Sequence, residues 1–175
     1  MPTIIIKDNL RSAVEAASGG QQTVLYDDKG NPSIMNIIPK FNLEDINAGL
    51  GTGVHPAFIV GGKEKSEIFV STYKNLILDG RPVSMAGTKF SITTRKAARD
   101  ACKSKGPGWH LMTNHEWAAI ALWCAARGIV PTGNTEYGRS HKRHYETGVR
   151  WDKKAPNYRG GEPETLTGSG PKEWN

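Results

Sequence analysis

The chain has 175 residues, a mass of 19.1 kDa and a formal net charge of +6; 37% of its residues are hydrophobic and 23% charged. That composition suits one globular domain, or one with a short extra module, and excludes a disordered acidic or basic chain. No apolar run approaches the ~18 residues that cross a bilayer, Ile4-Ile5-Ile6 is too short for a signal peptide, and collagen, coiled-coil and disulfide-miniprotein patterns are absent.

In chain order, Thr3 to Ile6 reads as a strand. Asp8 or Asn9 caps a short helix that runs to about Ala17 and stops at Gly19-Gly20. Thr23 to Tyr26 and Ser33 to Ile38 flank the turn residues Asp27 to Pro32, which predicts a hairpin. Residues 41–56 read as an irregular connector. Gly49, Gly51 and Gly53 suggest a phosphate loop, but no Lys-Ser/Thr and no helix follow them. Ala57 to Val60 and Glu67 to Thr72 are expected to pair as a second hairpin, and Leu76 to Leu78 with Val83 to Met85 as a third.

Two helices follow. One spans about Thr93 to Lys105, capped by Thr93 or Thr94, with Ala97, Ala98, Ala101 and Cys102 as a small apolar stripe and Gly106-Pro107 as its stop. The second begins at Thr113-Asn114-His115-Glu116, a capping box in which Thr113 and Glu116 satisfy each other's backbone. Met112 and Trp117 stand at hydrophobic-staple positions. Trp117, Ile120, Ala121 and Cys124 repeat at helical spacing, which predicts a buried face, widened by Leu122 and Trp123, until Gly128 ends the helix. From Pro131 to Asn175 regular structure fades into a glycine-rich tail. A stretch that long is normally functional or held by a partner.

Much of the positive charge sits between Arg139 and Lys154, where Arg139, Lys142, Arg143, Arg150, Lys153 and Lys154 face only Glu146 and Asp152. Such a stretch attracts phosphate backbones, and Tyr145 and Trp151 could stack on bases; a solvated loop is the plainer reading. Cys102 and Cys124 form no Cys-x-x-Cys motif, and both fall on the apolar sides of helices, as buried free thiols do.

The segment Gly108-Trp109-His110-Leu111-Met112-Thr113-Asn114-His115-Glu116-Trp117-Ala118-Ala119 resembles the Arg-Leu-Pro-Thr-x-x-Glu-Trp-x-x-Ala-Ala motif of formylglycine-generating-enzyme-like domains, which have a C-type-lectin-like fold. Together with Ile37 to Leu43, it is similar to tail proteins of phages and prophages, some of them targets of diversity-generating retroelements. The resemblance covers about residues 55–140 and implies a scaffold that displays a ligand-binding surface. The later Gly-Asn-Val-Trp-Glu-Trp-type segment and the cysteine pair of the enzymes have no counterpart here. The domain is therefore expected to be incomplete or completed by another chain.

The expected fold class is α+β: an N-terminal α/β module over residues 1–50, then a C-type-lectin-like domain over 51–175. Tyr137, His141, His144, Tyr145, Trp151 and Tyr158 are the candidate ligand or partner residues, being polar or aromatic groups on loops without a core period; Trp174 lies in the same tail. Thr113, Glu116, Trp117, Trp109 and Trp123 are read as structural. His141-x-x-His144 with Glu146 is the one metal-ligand cluster, but its cationic flanks disfavour a metal. His110 is expected to contact a strand or a carboxylate, and His115 to be neutral or turned to solvent.

The resemblance implies a non-enzymatic tail component that acts in host receptor binding or tail-tip assembly. Its expected partners are other tail proteins or a host surface receptor, and copies of itself, as in a trimer. Its expected place is the virion tail or, before assembly, the host cytoplasm, with no signal peptide, no membrane and no cofactor; calcium in the loops is left open. The alternatives are an enzyme related to formylglycine-generating or sulfoxide-synthase oxidoreductases, and nucleic-acid binding through 139–154. The attachment reading stands on the Trp117 indole being seated in the scaffold.

Overall fold

A computed structural model describes residues 8–131, 135–162 and 164–171. The expected strand at Thr3 to Ile6 and the aromatic Trp174 lie outside the described residues. The architecture is a mixed α+β fold in which short antiparallel ribbons and four helices surround one three-stranded sheet.

Helix α1 (Asn9–Ala17) starts where Asp8 Oδ1 accepts the Arg11 amide proton at 2.9 Å. No residue of α1 is buried, so polar contacts seat it on the sheet. Thr23 Oγ1 donates to Glu15 at 2.7 Å, Arg11 Nε donates to the Val24 carbonyl at 3.0 Å, and Tyr26 donates to Asp8 at 2.9 Å.

Strands β1 (Gln22–Tyr26) and β2 (Pro32–Pro39) form the expected hairpin, with Thr23 opposite Met35 and Val24 opposite Ile34. Its turn is organised by Asp27, whose carboxylate accepts from the amides of Lys29 and Asn31 and from the Asn31 side chain. Arg81 lies 3.3 Å from the same carboxylate. Burial opposes ionisation of Asp27, but the Asn31, Lys29 and Arg81 donors prevail and lower its pKa to about 2.

The connector contains a one-turn helix, α2 (Leu43–Ile46), and 3₁₀ turns at Ala48–Leu50 and Pro56–Phe58. The structure then corrects the second expected hairpin. Strand β3 (Ile59–Val60) pairs with β4 (Lys63–Glu64), while β5 (Glu67–Ser71) pairs with β2, placing Ile68 opposite Ile38. The physical reason is the Gly61-Gly62 turn, where both residues have positive φ, which closes the ribbon after two residues and frees β5 to extend the apolar sheet. Hydrogen-bonded pairing thus crosses the expected boundary between residues 50 and 51.

Strand β6 (Leu76–Leu78) pairs with β7 (Arg81–Val83), not with Val83 to Met85. Asp79 and Gly80, both at positive φ, make a two-residue turn that sets this earlier register.

Helix α3 (Arg95–Lys103) is capped by Thr94. Ala98, Ala101 and Cys102 are half-buried, whereas Ala97 is exposed. Beyond its end the Lys105 side chain turns inward and is only 1% exposed. Its ammonium donates to Ser33 Oγ at 2.8 Å and to the Pro82 carbonyl at 2.7 Å, and it lies 3.7 Å from the centre of the Trp109 ring. Burial pushes its pKa below the ordinary lysine value, against the opposing pull of Asp27. One cation thereby ties β2, β7 and the α3–α4 connection together.

Helix α4 (Asn114–Ala126) has the complete Thr113–Glu116 capping box that its sequence predicts. Its buried residues are Ala119, Trp123 and Cys124, which join Ile38, Ala57, Phe58 and Ile68 in the core. Trp117 is a correction: its side chain is not buried, and the residue is 67% exposed. Met112 is exposed too, so the staple pair covers nothing deep. At 100° per residue Trp117 lies roughly 90° from the centre of the stripe formed by Ala119, Ile120, Trp123 and Cys124. It also sits on the first turn, while the core packs against the later ones.

After α4, the described residues contain only the two-residue strands β8 (Thr135–Glu136) and β9 (Arg139–Ser140) as regular pairing. None of the described helices is long and apolar enough to cross a membrane.

Two measurements check this fold. Denaturant unfolding should show Trp123→Ala costing about 3–5 kcal/mol, as buried aromatic truncations do, and Trp117→Ala less than about 1 kcal/mol. Asp27 has a folded pKa below its unfolded value, so its contribution is present above about pH 4 and is lost as pH falls towards 2. The wild-type Tm should drop more steeply between those pH values than that of Asp27→Asn, and parallel curves would remove Asp27 from the acid transition.

Candidate functional site

The described part of the glycine-rich tail is a set of loops built on one buried side chain. Gly148 N–H donates to the Gly138 carbonyl at 2.8 Å, Ser140 N–H donates to the Glu146 carbonyl at 2.9 Å, and Arg139 bridges to Thr147. These contacts make a ribbon with residues 141–145 at its tip. A second ladder joins 149–151 to 164–166: Trp151 N–H donates to the Glu164 carbonyl at 3.0 Å and Leu166 N–H to the Val149 carbonyl at 2.8 Å.

Arg150 stands between these ladders and is 1% exposed. Its Nε and Nη2 donate to the two Asp152 carboxylate oxygens at 2.8 and 2.6 Å. The remaining donor contacts go to the carbonyls of Tyr158, Gly160 and Glu162, the last two at 2.8 and 2.9 Å. The guanidinium thus gathers the whole 158–162 turn onto residue 150. Hydrogen bonds from Arg150, above all, hold the Asp152 pKa below its ordinary value. A Cβ on Gly138 would stand 2.6 Å from Arg150 Cγ, so the arginine stem needs a glycine there.

The loop set is anchored to the rest of the molecule at Thr167. Thr167 Oγ1 donates to the Met85 carbonyl at 2.6 Å, and backbone bonds of 2.9 and 2.7 Å link Thr167 with Thr88 and Gly87. Lys89 adds ion pairs to Glu162 and, at 3.8 Å, to Glu164.

The structure separates the candidate residues into two groups. His141, His144 and Tyr145 are exposed at the ribbon tip, with Tyr145 80% accessible. His141 lies 3.8 Å from Glu136, and Glu146 is paired with Arg143 at 2.9 Å. No group of three metal-ligating side chains occurs among the described residues. Tyr137 and Tyr158 flank the Arg150 guanidinium at 5.7 and 5.8 Å, and the exposed Trp151 ring lies 5.5 Å from Lys89.

The basic segment differs from its expected character in one residue above all. Arg150 is interior and saturated with acceptors, so it offers nothing to a phosphate backbone. The sequence carried a weak sign of this: an arginine two residues before an aspartate, amid closely spaced glycines.

Around the helix entrance, His110 Nε2 lies 2.7 Å from Glu116 Oε1, the second of the two contacts, strand or carboxylate, that the sequence left open. Burial works against the imidazolium of His110, yet the Glu116 carboxylate dominates and raises its pKa. His115 is exposed. His55, which sequence reasoning passed over, is buried beside Phe41 and Phe58 and accepts the Ala57 amide proton through Nδ1. Burial and then nearby His115 lower its pKa, which suits a neutral core histidine. Burial also raises the pKa of the half-buried Cys102 thiol, away from the thiolate that nucleophilic chemistry needs.

The chain matches no family model, and no curated protein matches it.

If Arg150 organises the loops, Arg150→Met should cost about 3–5 kcal/mol, because the Asp152 charge and three carbonyls lose their partner. Hydrogen exchange should accelerate at the amides of Gly148, Trp151 and Leu166 while those of β2 stay protected. Uniform exchange across both regions would show a purely global effect.

Proposed function

We propose that this chain is a non-enzymatic tail component of a phage or prophage, acting in host attachment or tail-tip assembly through its loop face. The observation that carries the reading is a pair of exposed aromatic residues on a braced base. Tyr145 projects from the 139–147 ribbon, and Trp151 from the ladder fixed by Arg150. Aromatic groups held on rigid loops bury large area on binding with little entropy loss.

The exposure of Trp117 withdraws the support expected from a seated indole, so the reading rests on the loop face and on the sequence resemblance. Pairing of Arg143 with Glu146 and of Arg150 with Asp152 leaves the 139–154 segment fewer cations for nucleic acid.

Light scattering should give a particle mass several times 19.1 kDa, consistent with a trimer. Fluorescently labelled protein should sediment with cells of at least one strain in a bacterial panel. The double variant Tyr145→Ala/Trp151→Ala should weaken one of these associations about tenfold, as loss of interface aromatics does, with Tm unchanged. A monomer that sediments with no strain overturns the reading.

A further inference from the structure

A cavity of about 750 Å³ opens between the 72–74 loop and the C-terminal loops. Thr72, Tyr73, Lys74 and Phe90 line one side, and Arg139, Thr147, Glu164 and Thr165 are in the opposite wall. Its volume lies within the range of small-molecule sites.

The wall has an unusual charge arrangement. Glu146 has its own cation, Arg143, at 2.9 Å, and Glu164 has Lys89 at 3.8 Å. Both Arg139 and Lys74 lack a carboxylate partner among the described residues. Lys74 is exposed and lies 4.6 Å from the centre of the Phe90 ring. Two cations, the Thr72, Thr147 and Thr165 hydroxyls and the rings of Tyr73 and Phe90 thus border one cavity, a set of groups that suits an acidic ligand with hydroxyls.

We propose that this cavity binds a small hydroxylated acid, such as a sugar bearing a carboxylate or a phosphate. The acidic group meets Arg139 and Lys74, where a guanidinium makes charge-assisted hydrogen bonds. A ligand hydroxyl donates to Glu164, and further hydroxyls meet Thr147 and Thr165. The rings of Tyr73 and Phe90 supply apolar surface for the carbon skeleton. Paired Glu146 and Glu164 disfavour a compact inorganic anion and favour a ligand that also carries donors. The proposal does not depend on the attachment reading, because the cavity uses neither Tyr145 nor Trp151.

The test is calorimetric titration of the full chain with glucuronate, glucose 6-phosphate and glucose. At least one acid should bind at submillimolar to millimolar concentration, and neutral glucose at least about tenfold more weakly, the loss expected for a charge-assisted contact. Preference between the two acids identifies the carboxylate or the phosphate as the recognised group. Arg139→Gln should weaken acid binding about tenfold or more, and Lys74→Gln, on an exposed side chain, about threefold. If Arg139→Gln lowers Tm, Lys74→Gln carries the test alone. No binding of either acid, equal binding of glucose, or affinity unchanged in the folded variants overturns the proposal.

Discussion

A guanidinium carries five N–H donors in a rigid plane, and Arg150 directs all its hydrogen bonding inward. Among the described residues from 135 onward, regular pairing is confined to two short strands and two narrow ladders, and turns supply the other backbone bonds. A loop without further partners would leave its carbonyls to water and would not keep one shape. Arg150 collects three carbonyls and one carboxylate at a single centre, so distant parts of the tail share one geometry. The charge is buried, but it is paired and hydrogen-bonded, the condition under which burial is tolerated.

Lys105 does for the first half of the chain what Arg150 does for the second. Its ammonium joins Ser33 on the central strand to Pro82 on β7 and lies against Trp109. Between these two cations the apolar core stays small, built around Phe58, Ile38, Ile68 and Trp123. Thr167 and Lys89 then connect the loop set to the segment after β7. The 750 Å³ cavity forms along that seam, bordered by residues from both halves.

A formal net charge of +6 says little about partners until each cation is placed. Arg81, Lys105 and Arg150 are buried and serve as internal connectors. Arg143 and Lys89 are absorbed by neighbouring glutamates. Arg139 and Lys74 have no carboxylate partner among the described residues, and they border one cavity. The distribution of cations, more than their total, therefore decides what this surface can recognise.

The sequence alone determined the elements whose causes are local. The Asp8 cap of α1, the Asp27 to Pro32 turn and the Thr113–Glu116 capping box each depend on residues within a few positions of one another. The α+β class and the structural role of Trp123 were legible for the same reason. Tertiary structure alone decided that β5 joins β2, that Trp117 faces water and that Arg150 is interior. Each depends on which distant surface packs against an apolar strand or a set of orphan carbonyls, and periodicity does not record that. A helical stripe gives the direction of burial to within a quarter turn, and Trp117 lies at that margin. An arginine in a glycine-rich loop reads as solvated until the chain folds back and brings its carbonyls to it.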